Sequence, residues 1–225
     1  MRRYVFPLFL GLAGCAILLS LGTWQLRRLA WKEDMLATIE ARIDGAPSDL
    51  AALAVPDPDA DRYRPVRVTG RTGEDLLVLS GRKGEGAGYE VISALDLPDG
   101  RRILLDRGFI PEAARDMPRP PVTLAVTGNL LWPDESDSYT PPPDPAARLW
   151  FVRDVDSMAR FLGAEPVLVV ARVAEGQEPS IRPVPVDTAG VPNDHLNYAI
   201  TWFSLAAVWA GMTVHLLWRI RQRTH

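Results

Sequence analysis

Cysteine and histidine are nearly missing from the sequence. A single cysteine, Cys15, leaves no partner for an intrachain disulfide, and it excludes a CxxC redox pair or a cysteine-rich zinc or copper site. The three histidines, His195, His215 and His225, all fall in the last 31 of the 225 residues. A Ser/His/Asp hydrolase or an HExxH protease needs imidazole as base or ligand, and the whole middle of the chain has none. Copper delivery is disfavoured as well, because the central region offers only Met35, Met117 and Met158 as soft ligands. Charge is missing from two long stretches, although the average composition, 47% hydrophobic and 24% charged, looks like that of a soluble protein.

The first of those stretches, Tyr4 to Leu26, is 23 residues long and is flanked by Arg2 and Arg3 before it and Arg27 and Arg28 after it. As a helix it would measure about 34 Å, enough to cross a hydrocarbon core of roughly 30 Å. The second, Leu196 to Trp218, also has 23 residues; it is followed by Arg219, Arg221 and Arg223 and carries Tyr198, Trp202 and Trp218 near its ends. Both read as transmembrane helices. Leu12-Ala13-Gly14-Cys15 resembles a lipoprotein signal box, but the apolar run continues beyond the cysteine through Ile17, Leu18, Leu19 and Leu21. A cleaved secretory signal would need small residues where Thr23 to Arg28 stands. The start also lacks the long Arg-rich, Ser-rich leader of a mitochondrial import sequence, so a bacterial inner membrane is the expected home.

Basic residues set the expected orientation. The arginines after the second span outweigh Arg182 before it, which keeps the C-terminus in the cytoplasm and, with two spans, the N-terminus too. The expected organisation is a cytoplasmic tail 1–3, a span 4–26, a periplasmic domain 27–195, a span 196–218 and a cytoplasmic tail 219–225. Every acidic residue lies between Glu33 and Asp194, whereas seven of the 25 basic residues lie in the tails and at Arg27 and Arg28. The remainder, residues 29–195, holds 18 basic against 28 acidic residues, a net charge of −10. A domain so acidic is not expected to bind nucleic acid or anionic lipid unaided.

Strand signals dominate that domain. Tyr63–Arg71, Leu76–Ser80, Tyr89–Leu97, Arg101–Leu105 and Val122–Leu131 are rich in Val, Ile and Leu and are separated by turn residues. Asp99-Gly100 predicts a hairpin, and the prolines at 118–121 and 141–145 predict loops. Trp31–Ile43 reads as a helix continuing out of the membrane, Asp44–Asp61 as a linker, Asp154–Leu162 as a short helix capped by Asp154 or Asp156, and Pro166–Val173 as a last strand. The predicted fold class is a membrane protein of α+β type, with two transmembrane helices flanking a mainly antiparallel sheet or barrel.

Few residues invite chemistry. The glycine-rich segment Gly81 to Gly88 lacks the Lys-Ser/Thr of a phosphate loop and joins two strands, so it reads as a flexible hairpin loop. The acidic pairs Glu74-Asp75 and Asp134-Glu135 sit beside turns and read as solvated. His195 is more informative, because helical spacing places it on one face with Tyr198, Ala199, Trp202 and Ala206 at the mouth of the second span. An imidazole over an aromatic face can ligate a porphyrin iron, and it can equally be an interfacial histidine that caps a helix. His215 lies twenty residues on, about 30 Å along a helix, so the two cannot share one iron within a chain; an ionisable group inside a span remains a functional candidate. His225 is terminal and has no evident role.

Five ordered segments resemble a known family. They are Gly22-Thr23-Trp24-Gln25-Leu26-Arg27-Arg28 with Lys32 at the exit of the first span, Tyr63-Arg64-Pro65-Val66, Gly88-Tyr89-Glu90-Val91, Leu104-Leu105-Asp106-Arg107-Gly108-Phe109-Ile110-Pro111, and the run His195 to Phe203. The chain resembles the surfeit locus protein 1 family, assembly factors of haem-copper cytochrome c oxidase, over nearly its whole length. The departures are Asp194 where Asn is expected and Phe109 where Trp is frequent.

The resemblance implies a non-enzymatic helper in respiratory-chain biogenesis that binds haem a transiently and assists its insertion into oxidase subunit I. It implies His195 as the haem ligand and Trp202 as its aromatic companion. Tyr198, Trp24 and His215 are further candidates for contact with the haem. Trp24 and Gln25 could instead serve packing across the helix pair. Implied partners are cytochrome c oxidase subunit I, haem a synthase and the lipid bilayer. The alternative is a membrane-anchored scaffold that docks subunit I without any cofactor; a haem-modifying enzyme is disfavoured, because it would call for several intramembrane histidines.

Overall fold

The computed structural model describes residues 2–82 and 84–222; Lys83 of the glycine-rich loop, Arg223 and His225 lie outside them. In chain order the elements are α1 (Arg2–Ile43), β1 (Ser48–Asp49), β2 (Pro65–Arg82), β3 (Gly86–Asp96), β4 (Arg102–Pro111), β5 (Thr123–Leu131), β6 (Leu149–Trp150), α2 (Val155–Leu162), β7 (Leu168–Glu175) and α3 (His195–Gln222). They form two compact units, Met1–Thr38 with Thr188–His225, and Ile39–Asp187.

The first unit is a pair of antiparallel helices, and both are long and apolar enough to cross a membrane. Glycines on α1 let them approach. A Cβ at Gly11 would fall 2.2 Å from Thr213, one at Gly14 would fall 2.2 Å from the Trp209 indole, and one at Gly22 would fall 2.7 Å from the Phe203 ring. Small residues serve this purpose within membranes, where close van der Waals contact replaces the hydrophobic drive available in water. Ala199 and Ala206 are correspondingly buried. Trp209 Nε1 donates to Gly11 O at 3.1 Å, which gives the indole a hydrogen-bond partner on the other helix. On α3 the packed positions 199, 203, 206, 209 and 213 recur at steps of three or four, the spacing of a two-helix seam.

The second unit is a mixed, mostly antiparallel sheet. The pairings β2 with β3, β3 with β4, β5 with β7 and β2 with β5 are antiparallel, and β4 with β7 is parallel, so the five strands close on themselves. β2 makes closure possible. Its first half, Pro65–Arg71, pairs with β5, and its second half, up to Arg82, pairs with β3. The two strands expected at Tyr63–Arg71 and Leu76–Ser80 are therefore one. Gly73-Glu74-Asp75 looks like a turn in sequence, but it is a register shift between Thr72 and Asp75 that bends a continuous strand from one neighbour to the next. The expected linker Asp44–Asp61 also carries structure: β1 pairs in parallel with β2, and the 3₁₀ turn after it buries Leu50 completely.

Two apolar faces result. Val66, Val68, Leu95, Ile103, Leu105, Leu124, Val126 and Val169 form one cluster with Leu50. On the other face, Leu76, Val78, Ile92, Leu104 and Leu168 pack with Val155, Met158, Ala159 and Leu162 of α2, which recur at helical spacing. Full burial of each such side chain contributes about 1.5–3 kcal/mol before entropy is counted. Asp154 caps α2 by accepting from Ser157 N at 3.1 Å, and Gly163 ends it in the left-handed region at φ 61°. The last carbonyl of α1, Ile43 O, accepts hydrogen bonds from Asn129 Nδ2 and Arg172 Nη2. The glycine-rich segment is the end of the β2–β3 hairpin and less of a loop than expected: Gly81 and Arg82 pair with Ala87 and Gly86, and Gly84 and Gly86 both adopt positive φ.

Candidate functional site

His195 opens α3. The backbone of Asp194 accepts from Tyr198 N at 3.1 Å, so Asp194 occupies the N-cap, where a carboxylate suits the positive end of the helix. The half-buried His195 ring lies against α1, with Nδ1 2.8 Å from Gln25 Oε1. Gln25 is itself buried, 8% exposed, within an otherwise apolar run. A lone amide there would cost free energy without a partner, and the histidine supplies one. An amide oxygen carries no hydrogen, so Nδ1 is the donor, and in the neutral form of the ring Nε2 carries the lone pair.

The other candidates scatter around this pair. Trp202, half-buried, stands seven residues on from His195, on the side of α3 that also carries the buried Ala199 and Ala206. Tyr198, one turn on from His195, is 56% exposed and so stands at the outer edge of that face. Trp24 is 53% exposed and, with Leu19, Ser20, Thr23 and Arg27, lines a shallow groove of about 300 Å³ on the outer side of α1. His215 is exposed near the other end of α3, where its ring lies 5.8 Å from that of Trp218. The structure thus joins His195 to Gln25 and joins neither to His215. One turn beyond Gln25, Arg28 stacks over Trp31 at 4.2 Å, and Lys32 donates from Nζ to Pro192 O.

A second cluster of unusual groups lies in the sheet unit, past the expected end of the strand Arg101–Leu105, because β4 runs on to Pro111 through one of the family-like segments. β4 bulges at Arg107, because Val91 faces Gly108 while Ile92 faces Asp106. Gly108 takes φ 116°, and a Cβ there would fall 1.9 Å from Arg182 O, so only glycine lets that segment cross the strand. Asp106 Oδ1 accepts from Gly108 N at 3.0 Å, whereas Oδ2, fully buried, finds no hydrogen bond. Burial and the nearby Glu90 carboxylate push the Asp106 carboxyl up to about 7. Arg153 stands 3.6 Å from both Asp106 and Glu90 and 2.5 Å from Glu135. Burial opposes its charge, but the three carboxylates overcome this and hold it protonated. Arg107, 1% exposed, is anchored by Gln177 and an ion pair with Glu178. Phe109, the departure from the family pattern, is fully buried; a Cβ at Gly88 would fall 2.4 Å from its ring. The segment Leu104 to Pro111 is thus explained by folding, since its polar groups point into the protein.

Comparison with known proteins agrees with the resemblance in sequence. The sequence model of the SURF1 family matches residues 12–207. A SURF1-like protein of Monosiga brevicollis is 33% identical over 220 residues, covering 88% of this chain and 82% of its own. Surfeit locus protein 1 of Homo sapiens is 29% identical over 213 residues, 84% of this chain and 70% of that one. A SURF1-like protein of Rickettsia bellii is 28% identical over 225 residues, covering 92% and 87% respectively.

Proposed function

The chain belongs to the SURF1 family, and from that premise we propose that it is a non-enzymatic assembly factor of haem-copper cytochrome c oxidase, holding haem a on His195 and handing it to subunit I. The observation that carries this reading is the bond between His195 and Gln25. With Nδ1 engaged, Nε2 is the nitrogen left to ligate when the ring is neutral, which is the form an axial ligand must take. The residues present therefore fit a porphyrin iron. Trp202 supplies aromatic surface about two turns from His195, and Arg27, Arg28 and Lys32 supply positive charge for the two porphyrin carboxylates. One histidine with no second in reach among the described residues suits a carrier, since cargo held too tightly could not be passed on.

In this reading the chain crosses a bacterial inner membrane twice, through 4–26 and 196–218. The domain 27–195 stands in the periplasm, and the tails 1–3 and 219–225 stand in the cytoplasm. The excess of arginine after the second span supports that orientation. Haem a synthase is the donor this role requires, and subunit I the acceptor.

A second reading has one observation in its favour. The buried alanines of the His195 face and the Gln25 bond suit a purely structural interhelix lock, with the sheet docking subunit I and no cargo bound. Complementation separates the two. In a deletion strain, the haem content of subunit I should fall and be restored by the wild-type chain and by His215→Ala, but not by His195→Ala. Full restoration by a membrane-inserted His195→Ala chain would favour the scaffold, and normal subunit I in the deletion strain would contradict both.

A further inference from the structure

We propose that Gln25 is a positioning residue for the haem site: its side-chain oxygen fixes His195 in the Nδ1–H tautomer, so that Nε2 is presented as the ligand. This rests on the carrier reading above and extends it to a residue on the other helix. The contact is 2.8 Å long and joins residues 170 positions apart. Gln25 is buried, whereas its neighbour Trp24 is half exposed, so the amide faces the helix pair and not the surroundings. Hydrophobic side chains would pack at this position at less cost, so a buried amide needs a reason, and the acceptor is that reason. Among the described residues, no other group is bonded to the His195 ring.

The chemistry follows from the proton. Free imidazole exchanges its hydrogen between two nitrogens, and only the unprotonated one can donate a lone pair to iron. An acceptor held at Nδ1 removes that ambiguity, orients the ring and increases the basicity of the opposite nitrogen, as the outer hydrogen-bond partners of metal-binding histidines commonly do. Such partners typically change metal affinity by about tenfold to a hundredfold. A carboxamide accepts less strongly than a carboxylate, which suits a site that must release its cargo.

Two readouts test the assignment on the full chain in lipid nanodiscs. The first needs no haem: with ¹⁵N-labelled imidazoles at a pH where the ring is neutral, His195 should show a protonated Nδ1 and an unprotonated Nε2, and Gln25→Leu should abolish that preference. The second uses chains purified from membranes that make haem a. Gln25→Leu should retain about tenfold less pigment or lower still. Gln25→Glu should retain the pigment and shift its ferric EPR signals toward a more imidazolate-like ligand.

An Nε2–H tautomer in the wild-type chain overturns the assignment, with no variant needed. So does undiminished pigment with unchanged EPR signals in Gln25→Leu, provided His195→Ala loses its pigment. Full pigment in His195→Ala overturns the carrier reading together with the role of Gln25, so the two failures are distinguishable.

Discussion

Replacing Asp106 by asparagine should stabilise the sheet unit above neutral pH, and the gain should disappear in acid. Two effects compete at this carboxyl. Burial, together with Glu90, disfavours its charge, and Arg153 at 3.6 Å favours it; burial prevails, raising the pKa from 3.8 to about 7. Below about pH 4 the carboxyl is protonated whether the chain is folded or not, and it contributes no pH dependence. Between about 4 and 7 the unfolded chain gives up a proton that the folded one keeps, so stability falls as pH rises. The full penalty above pH 7 is roughly 4 kcal/mol, taking about 1.4 kcal/mol for each tenfold change in proton affinity.

Asparagine is neutral throughout and keeps an oxygen for Gly108 N. It gives up the attraction to Arg153, which retains Glu135 at 2.5 Å and Glu90 at 3.6 Å. A net gain of about 1–3 kcal/mol at pH 8 is therefore expected, falling to near zero at pH 4. For a unit of this size that amounts to roughly 3–10 °C in Tm. Thermal unfolding of the full chain from pH 4 to 8, followed through tryptophan fluorescence to which the buried Trp150 contributes, reads it directly. A variant less stable than the wild type at pH 8, with an unchanged pH slope, would show that Asp106 is ionised under Arg153 and that the ranking of the two effects is wrong.

Other substitutions probe packing. Gly108→Ala should cost about 3 kcal/mol or more, because the added carbon meets Arg182 O at a backbone φ of 116°; Gly81→Ala, with nothing within 4 Å, should stay within about 0.5 kcal/mol in the same unfolding assay. Gly14→Leu should part the helix pair, because even its Cβ would fall 2.2 Å from the Trp209 indole. Brominated lipids should then quench Trp209 more strongly than in the parent chain, and unchanged quenching would mean that the seam is placed wrongly.

Much of the architecture was legible because it depends on short-range chemistry. Charge-free runs long enough for a bilayer mark α1 and α3, and Val, Ile and Leu between turn residues mark the strands. Misreadings arose where local signals serve distant partners. Gly73-Glu74-Asp75 has turn composition, yet each half of β2 is held by a different neighbour, so the chain bends without ending the strand. β1 and β6, two residues each, are too short for any periodicity to register. His195 stood out because imidazole is scarce. Gln25 stood out only as part of the first-span signature, with packing across the helix pair as its expected role; nothing near it in sequence announces that its partner is an imidazole 170 residues away. The glycines at 11, 14 and 22 pack against α3, and the imidazole meets α1 at Gln25, while Tyr198 stands exposed at the edge of that face.

The account stands on His195 as the ligand of haem a. The absorption spectrum of the full chain, purified from membranes that make haem a, tests this most directly. It should show bound haem a in the wild type and in His215→Ala, and none in His195→Ala or in wild-type chain from cells without haem a synthesis. Equal pigment in both histidine variants would contradict it.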